Sequence, residues 1–279
     1  MPALSRRRLL GLAGLLGVPG LGALLAACGQ GPEEVPALPA DADGPRTITY
    51  GEDASQFGEL TLPAGTPRGV AVVVHGGFWL AQYGIEYARP LVPSLVEQGW
   101  AVWAIEYRRV GDGGGVPTTL DDVTAALALV PDLDTGAPAE APVVGIGHSA
   151  GGHLVTWAAA GGVLTHVISQ AGVLDLVAAS RERLGGGAVE GFLGHVPDPS
   201  DPADAAVDPV RQVPLAAPVW CVHGEDDTIV PISQSESYVV AATAAGAVAE
   251  VVRVPGDHFA VIDPDSAAWA RTLEITAAL

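Results

Sequence analysis

The fold of this chain is decided by the stretch VVGIGHSAGGHL, which covers residues 143–154. Its first half is a short apolar run of the kind found in buried strands, and its second half follows a helical pattern. Ser149 stands at the junction, inside the pentapeptide GHSAG. Glycines on both sides of the serine allow a sharp turn that thrusts the hydroxyl out of a sheet. The stretch therefore predicts a strand, a tight turn and a helix.

Short apolar runs alternate with helical patterns on both sides of this stretch. Strands that are apolar throughout and separated by helices are typical of a parallel sheet covered on both faces. Residues 47–50 and 59–62 precede the first helix and predict an antiparallel hairpin at the sheet edge. The predicted fold class is α/β, a mostly parallel doubly wound sheet with this N-terminal hairpin. The predicted strands are 69–74, 101–107, 143–147, 164–170, 219–223 and 250–254, and the predicted helices are 87–98, 120–130, 150–160, 233–245 and 266–278.

The length of 279 residues suits one large domain once an N-terminal leader is set aside. We expect a signal peptide over residues 1–27, a tether over residues 28–45 and one α/β domain over residues 46–279. Within that domain, residues 171–218 mix apolar residues with glycines and Asp-Pro pairs. We interpret them as a small cap over the carboxyl edge of the sheet, where such folds build their pockets.

The leader has the order of parts found in exported lipoproteins. Residues 5–10 read SRRRLL and resemble the twin-arginine export motif, and an uncharged run follows up to residue 27. The run ends in LAAC, which resembles a bacterial lipobox with Cys28 as the lipidated residue. We expect a lipid anchor at the extracytoplasmic face of the cell membrane. The alternative is a plain membrane anchor, because the run is just long enough to span.

The composition excludes some partners. With 32 acidic and 13 basic residues, the chain has a net charge of −19, which makes nucleic acid and polyanionic substrates poor partners. The chain has two cysteines, so lipidation of Cys28 would leave no disulfide within it. Cys221 lies in an apolar run and is expected to be a buried small hydrophobe.

Two further motifs lie after the last two predicted strands. Residues 223–231 read HGEDDTIVP, a pattern that selects Asp227 as a functional acid over its neighbour Asp226. His258 follows the last strand and is the only histidine after that acid. A serine, an acid and a histidine in this order supply the nucleophile, the orienting carboxylate and the base that acyl transfer needs. The alternative for the acid is a solvated acidic turn.

The motif HGGFW at residues 75–79 follows the first long apolar strand. Gly76 and Gly77 allow the backbone to turn its N–H groups toward a substrate carbonyl, and the N–H of Ala150 would complete an oxyanion hole. The alternative is that the glycines only form a tight turn. Phe78 and Trp79 are candidates for the substrate pocket, although aromatic residues are as often part of the core.

A cofactor or metal site is not expected. The segment from Gly145 to Ala150 also fits a dinucleotide-binding fingerprint, but the next strand ends at Gln170 without the acidic residue that would hold a ribose. His148 and His153 lack the spacing of a zinc helix motif.

From about residue 69 onward, these motifs as a set resemble the α/β-hydrolase superfamily. Within it the chain is most similar to the feruloyl-esterase-like and kynurenine-formamidase-like groups, which share an H-G-G-x-W segment. The resemblance implies that Ser149, Asp227 and His258 form a catalytic triad and that Gly76, Gly77 and Ala150 surround the oxyanion. The segment EYRRV at residues 106–110 departs from the Y-R-L-x-P pattern of those groups, which leaves the subgroup and the substrate open.

The expected reaction is hydrolysis of a carboxylic ester or small amide through an acyl-enzyme on Ser149, with a small acyl substrate and no cofactor. One alternative is an aminopeptidase or formamidase that uses the same residues. The other is a lipoprotein that binds a ligand on a hydrolase scaffold without catalysis. The sequence does not determine the oligomeric state.

Overall fold

The computed structural model describes residues 44–279. The expected signal peptide, the lipidation site Cys28 and all but the end of the expected tether lie outside the described residues. Within 44–279, no helix is both long and apolar enough to cross a membrane.

Eight strands form one sheet in the order β1-β2-β4-β3-β5-β6-β7-β8. β1 pairs antiparallel with β2 and β2 antiparallel with β4, whereas every other neighbouring pair is parallel. The predicted fold class and edge hairpin are therefore confirmed, with strand ends within two residues of those expected. The strands are β1 Arg46–Thr49, β2 Phe57–Thr61, β3 Gly69–Val74, β4 Trp100–Ile105, β5 Val143–His148, β6 His166–Gln170, β7 Val219–Gly224 and β8 Ala249–Val254.

Helices connect the parallel strands, and one of them begins later than predicted. The helix expected over residues 87–98 begins only at Val92, after two short 3₁₀ turns at Ile85–Tyr87 and Arg89–Leu91. Pro90 explains the delay, since proline lacks a backbone N–H and disfavours helical geometry in the residue before it. The α-helices are α1 Val92–Glu97, α2 Thr118–Ala128, α3 Ala150–Ala158, α4 Leu176–Arg181, α5 Ala188–Leu193, α6 Pro202–Ala205, α7 Ser233–Ala244 and α8 Ala267–Ala278.

The core has two layers, one on each face of the sheet. Along β3, Val70 and Val72 belong to one buried cluster, while Ala71 and Val73 belong to the other. This alternation follows from the two-residue period of a strand. The functional motifs lie in the loops that follow the carboxyl ends of β3, β5, β7 and β8.

The segment expected to form a cap, residues 171–218, contains the short helices α4, α5 and α6. Phe192 of α5 stacks on Trp79 in the loop after β3, with ring centroids 4.4 Å apart. The backbone carbonyl of Phe192 also accepts a hydrogen bond from the N–H of Val116 at 2.8 Å. These contacts hold α5 against loops at the carboxyl edge of β3 and β4.

A buried carboxyl group in this segment gives the fold a pH dependence. Asp208 is 1% exposed; its Oδ1 accepts from the N–H of Leu176 at 3.0 Å, and its Oδ2 has no hydrogen-bond partner. Burial, reinforced by the negative charge of Asp175, raises the pKa of Asp208 to about 7. The folded chain therefore holds this proton more tightly than the unfolded chain, so the stabilisation is full below about pH 4 and is lost as the pH rises to about 7.

We expect Asp208→Asn to be increasingly stable relative to the wild type as the pH rises from 4 to 8. The difference in Tm should grow by about 10 °C across this range, because only the wild type must ionise a buried group. Thermal unfolding at several pH values measures it, with Asp265→Asn, which removes an exposed carboxylate, as the control. A Tm difference that stays constant with pH would contradict the expectation.

Candidate active site

Ser149 occupies a strained turn between β5 and α3. Its backbone angles are φ 54° and ψ −117°, a region that residues with a side chain rarely adopt. A Cβ atom at Gly147 would lie 2.1 Å from the carbonyl oxygen of Gly151, and one at Gly151 would lie 2.2 Å from that of Val74. Glycine is therefore required on both sides of the serine. Ser149 is only 1% exposed, less than the sequence suggested, but it lines a cavity open to solvent.

Asp227 and His258 are joined by a short hydrogen bond from Nδ1 of the histidine to Oδ2 of the aspartate, at 2.6 Å. The other oxygen, Oδ1, accepts from the backbone N–H groups of Ile229 and Val230 at 2.8 and 2.9 Å. Burial alone would raise the pKa of Asp227, but hydrogen bonds from His223 and His258 outweigh it and hold the pKa well below its usual range. Asp227 is thus a fixed negative charge that orients the His258 ring.

The neighbouring acid, Asp226, is exposed. The side chain in contact with His258 is that of Asp227, whose carboxylate is fully buried. The structure therefore brings Asp227, the acid chosen from the sequence pattern, to His258, and not Asp226.

His148, the residue before the serine, supports the loop that carries His258. Its Nε2 donates a hydrogen bond to the backbone carbonyl of His258 at 2.9 Å, and the two ring centroids are 4.5 Å apart. Burial, together with the nearby His258, lowers the pKa of His148 to about 3, so its ring is neutral at ordinary pH. Sequence reasoning missed this role because the bond joins residues from two distant parts of the chain.

Ser149 and His258 line one cavity of about 110 Å³. Gly76 and Gly77 line it as well, and so does Phe78, as the sequence suggested. The cavity wall is completed by residues that the sequence did not single out for this role: Tyr83, Tyr87, His148, Ile229 and Phe259.

Trp79 does not line this cavity, which corrects its expected place in the substrate pocket. The residue is fully buried, and its ring lies between Phe192, stacked at 4.4 Å, and His153, edge-on at 5.2 Å. A side chain as large as tryptophan gains most from full burial among other rings. The core alternative therefore holds for Trp79, whereas the half-buried Phe78 both packs against the core and lines the cavity.

Gly76 and Gly77 lie directly against the Ser149 turn. A Cβ at Gly76 would lie 2.7 Å from the carbonyl oxygen of His148 and 3.0 Å from Cβ of Ser149, so only glycine fits. Gly77 has a φ of 109°, which also favours glycine. Ala150, the third residue of the expected oxyanion hole, is the first residue of α3, immediately after the serine. Its backbone N–H belongs to the first turn of the helix, where such groups lack helical partners.

His75 holds the glycine loop in one orientation. Its Nδ1 lies 2.8 Å from the carbonyl oxygen of Gly76, which can only accept a hydrogen bond. In a trans peptide the C=O of Gly76 and the N–H of Gly77 point in opposite directions. The bond from His75 therefore turns the N–H of Gly77 away from the histidine. Gly77 itself lines the cavity.

Glu106, at the end of β4, anchors His75 in turn. Its Oε1 lies 2.9 Å from Nε2 of His75 and 2.8 Å from Nη1 of Arg109, and its Oε2 accepts from the N–H of Ile85 at 2.9 Å. Burial would raise the pKa of Glu106, but the hydrogen bond from His75 and nearby positive charge lower it. The sequence showed this residue only as part of a departure from the family pattern. A lone glutamate after an apolar strand was the available signal.

We expect Glu106→Gln to lower kcat for ester hydrolysis by about tenfold to a hundredfold with little change in KM. The amide keeps the shape and an acceptor for His75, but it removes the negative charge that faces His75 and Arg109, which weakens the hold on His75 and loosens the glycine loop. Complete loss of one oxyanion donor typically costs about 10²- to 10³-fold. Steady-state kinetics measure the effect, and Glu97→Gln, an exposed glutamate on α1, is the control. Wild-type kcat in a folded Glu106→Gln protein would contradict this role.

The parallel sheet and the serine turn after β5 define the α/β-hydrolase class, and the protein is a hydrolase. The chain belongs to the BD-FAE family, which it matches over residues 60–241, more than half of its length. The resemblance to α/β-hydrolases seen in the sequence is therefore confirmed. No curated protein matches the chain.

Solved structures share this fold. A bifunctional GH43-CE protein of Bacteroides eggerthii is 23% identical, with a TM-score of 0.69 over 83% of this chain, which spans 37% of the length of that protein. A truncated carbohydrate esterase from gut microbiota is 19% identical, with a TM-score of 0.69 over 85% of this chain and 98% of its own. The thermophilic esterase Est2 of Thermogutta terrifontis is 22% identical, with a TM-score of 0.67 over 84% and 90%. A structure of the same esterase phosphoramylated by tabun is also similar to this chain.

Proposed function

We propose that this protein cleaves a carboxylic ester through an acyl-enzyme on Ser149. The observation that carries the proposal is the 2.6 Å hydrogen bond that joins His258 to the buried carboxylate of Asp227, with His258 and Ser149 in the same cavity. This bond places the proton on Nδ1 and leaves Nε2 of His258 as the base.

In the first half of the reaction, Nε2 of His258 takes the proton of the serine hydroxyl while Oγ of Ser149 attacks the ester carbonyl carbon. The negative charge that develops on the carbonyl oxygen is stabilised by the backbone N–H groups of Gly77 and Ala150. The bond to the alcohol oxygen then breaks, and His258 donates the proton to it. In the second half, His258 activates a water molecule that attacks the acyl carbon, which releases the acid and restores Ser149.

The cavity favours a small, uncharged ester. Its volume of about 110 Å³ suits a short acyl chain, and most of its wall consists of glycine, aromatic and aliphatic residues. No carboxylate or guanidinium group lines it within the described part of the chain. A peptidase that binds a free amine would need an acidic anchor there, so an ester is favoured over the aminopeptidase alternative.

The test is the hydrolysis of p-nitrophenyl acetate and butyrate by the full chain, together with labelling by a fluorophosphonate. Such a probe reacts with an activated serine, and the modification of the neighbouring esterase by tabun supports its use. We expect one equivalent of label on the peptide that contains Ser149. The fraction of hydrolytic activity that is lost should equal the fraction of protein that is labelled. A folded protein that neither hydrolyses the esters nor takes the label would favour the ligand-binding alternative.

We also propose that the chain is exported and anchored by lipid on Cys28. Support comes from the order of an arginine cluster, an uncharged apolar run and a cysteine preceded by small residues. Fractionation of expressing cells after feeding a labelled fatty acid tests this. We expect label and membrane association in the wild type and loss of both in Cys28→Ser; unchanged membrane association without label would favour a plain anchor.

A further inference from the structure

Two half-exposed aromatic side chains stand at the mouth of the Ser149 cavity. Among residues 44–279, Tyr87 and Phe259 are the exposed large aromatic side chains, at 40% and 50%, and both line this cavity. The other exposed large hydrophobic residues are valines outside its wall. Apolar surface left in water beside a catalytic cavity is typical of a ligand-binding surface.

The position of Phe259 assigns it to one side of the reaction. It follows His258 directly, and its ring meets the imidazole edge-on with centroids 5.4 Å apart. Because His258 donates its proton to the departing alcohol, the alcohol portion of the ester must lie beside that ring. Ile229 also lines the cavity, and its backbone N–H binds Asp227, the acid that holds His258. Phe259 and Ile229 therefore lie on the leaving-group side.

The other aromatic residues of the cavity wall are linked to the glycine loop, on the oxyanion side. Phe78 follows Gly77 in the chain, and a Cβ at Gly77 would lie 2.3 Å from Cβ of Tyr83. Tyr87 packs edge-on against Tyr83 at 5.7 Å. The cavity thus has two walls, one attached to the glycine loop and one attached to the His258 loop.

The turn that carries Phe259 is well ordered by hydrogen bonds. The side chain of Asp257 accepts from the N–H groups of Phe259 and Ala260 at 3.0 and 3.1 Å, and the carbonyl of Phe259 accepts from Ile262 at 3.0 Å. A fixed backbone restricts where the exposed ring can lie, and a ring held in place loses less freedom when a ligand covers it.

We propose that Phe259 and Ile229 form a leaving-group subsite that binds a flat, uncharged aromatic alcohol. This rests on the proposed ester hydrolysis. A flat ring can pack on the phenyl group of Phe259, and such ring pairs add roughly twofold to tenfold in affinity beyond simple apolar contact. The absence of charged carboxylate or guanidinium groups from the described cavity wall fits an uncharged alcohol.

The experiment compares benzyl acetate with cyclohexylmethyl acetate, whose alcohols are similar in size and differ in flatness. We expect the wild type to prefer benzyl acetate in kcat/KM, and Phe259→Leu to reduce that preference by roughly twofold to tenfold. Val240→Ala, at a valine that is 69% exposed and outside the cavity wall, is the control and should keep the wild-type preference. An unchanged preference in Phe259→Leu would overturn the subsite.

A second measurement separates substrate binding from a disturbance of His258. The alcohol has already left when water attacks the acyl-enzyme, so a leaving-group subsite affects acylation and not deacylation. We expect Phe259→Leu to hydrolyse the acetyl-enzyme at the wild-type rate, as followed by burst kinetics with p-nitrophenyl acetate. Slower deacylation in proportion to the loss of acylation would instead show that Phe259 acts through His258 and would overturn the proposal. A wild type without hydrolysis or fluorophosphonate label would refute the proposed function itself.

Discussion

Replacement of Ser149 by alanine is expected to lower kcat/KM for p-nitrophenyl acetate by about 10⁴-fold or more. The change removes the nucleophilic oxygen, and no other serine lines the described cavity. Alanine keeps the Cβ atom, so the strained backbone at φ 54° meets the same steric demand in both proteins. Loss of activity would therefore reflect the chemistry of the hydroxyl and not a change of the turn.

The measurement is steady-state hydrolysis with equal Tm values as evidence that both proteins are folded. Ser200→Ala, at a serine that is exposed and outside the cavity, should retain wild-type activity. Residual activity of Ser149→Ala within tenfold of the wild type would exclude an acyl-enzyme on this residue.

Replacement of Asp227 by asparagine is expected to lower kcat by about 10⁴-fold with little effect on KM. The N–H groups of Ile229 and Val230 both point at Oδ1, so the amide oxygen will take that position. The amide nitrogen then faces Nδ1 of His258 as a donor. His258 can accept that hydrogen bond only with its proton on Nε2, which leaves no base for the serine.

Asp226→Asn provides the matched control for this prediction. The two acids are adjacent and the substitution is the same, but Asp226 is exposed. We expect Asp226→Asn to keep activity within about twofold, as is usual for surface sites. The reverse result, with Asp226→Asn inactive and Asp227→Asn active, would move the acid to the neighbouring residue.

Most of the secondary structure was predictable because its signals are local. Apolar runs of five or six residues and helical spacing lie within single elements, so six parallel strands and the edge hairpin were found to within two residues of their ends. The first helix is predicted to begin at residue 87 from its apolar spacing, but Pro90 delays the start of the α-helix to Val92. A helix boundary depends on single residues and is therefore harder to predict than the element.

The candidate catalytic residues were predictable for a related reason. In a parallel sheet the carboxyl ends of the strands meet at one edge, so motifs that directly follow β3, β5, β7 and β8 are brought together by the topology alone. Gly147 and Gly151 mark the turn in the sequence, because the close approach of the backbone there excludes any side chain and so requires glycine at both positions.

By itself, then, the sequence determined the fold class and the choice of Ser149, Asp227 and His258. The alternation of strands and helices along the chain suffices for the fold class, and the position of each motif after a strand suffices for the three residues. Only the tertiary structure decided which side chains surround and support them. Glu106 holds His75, and Trp79 stacks on Phe192 in the core. Phe259 instead lines the cavity at its mouth. These contacts join residues far apart in the chain, and each depends on how two loops pack, which no local pattern of residues encodes.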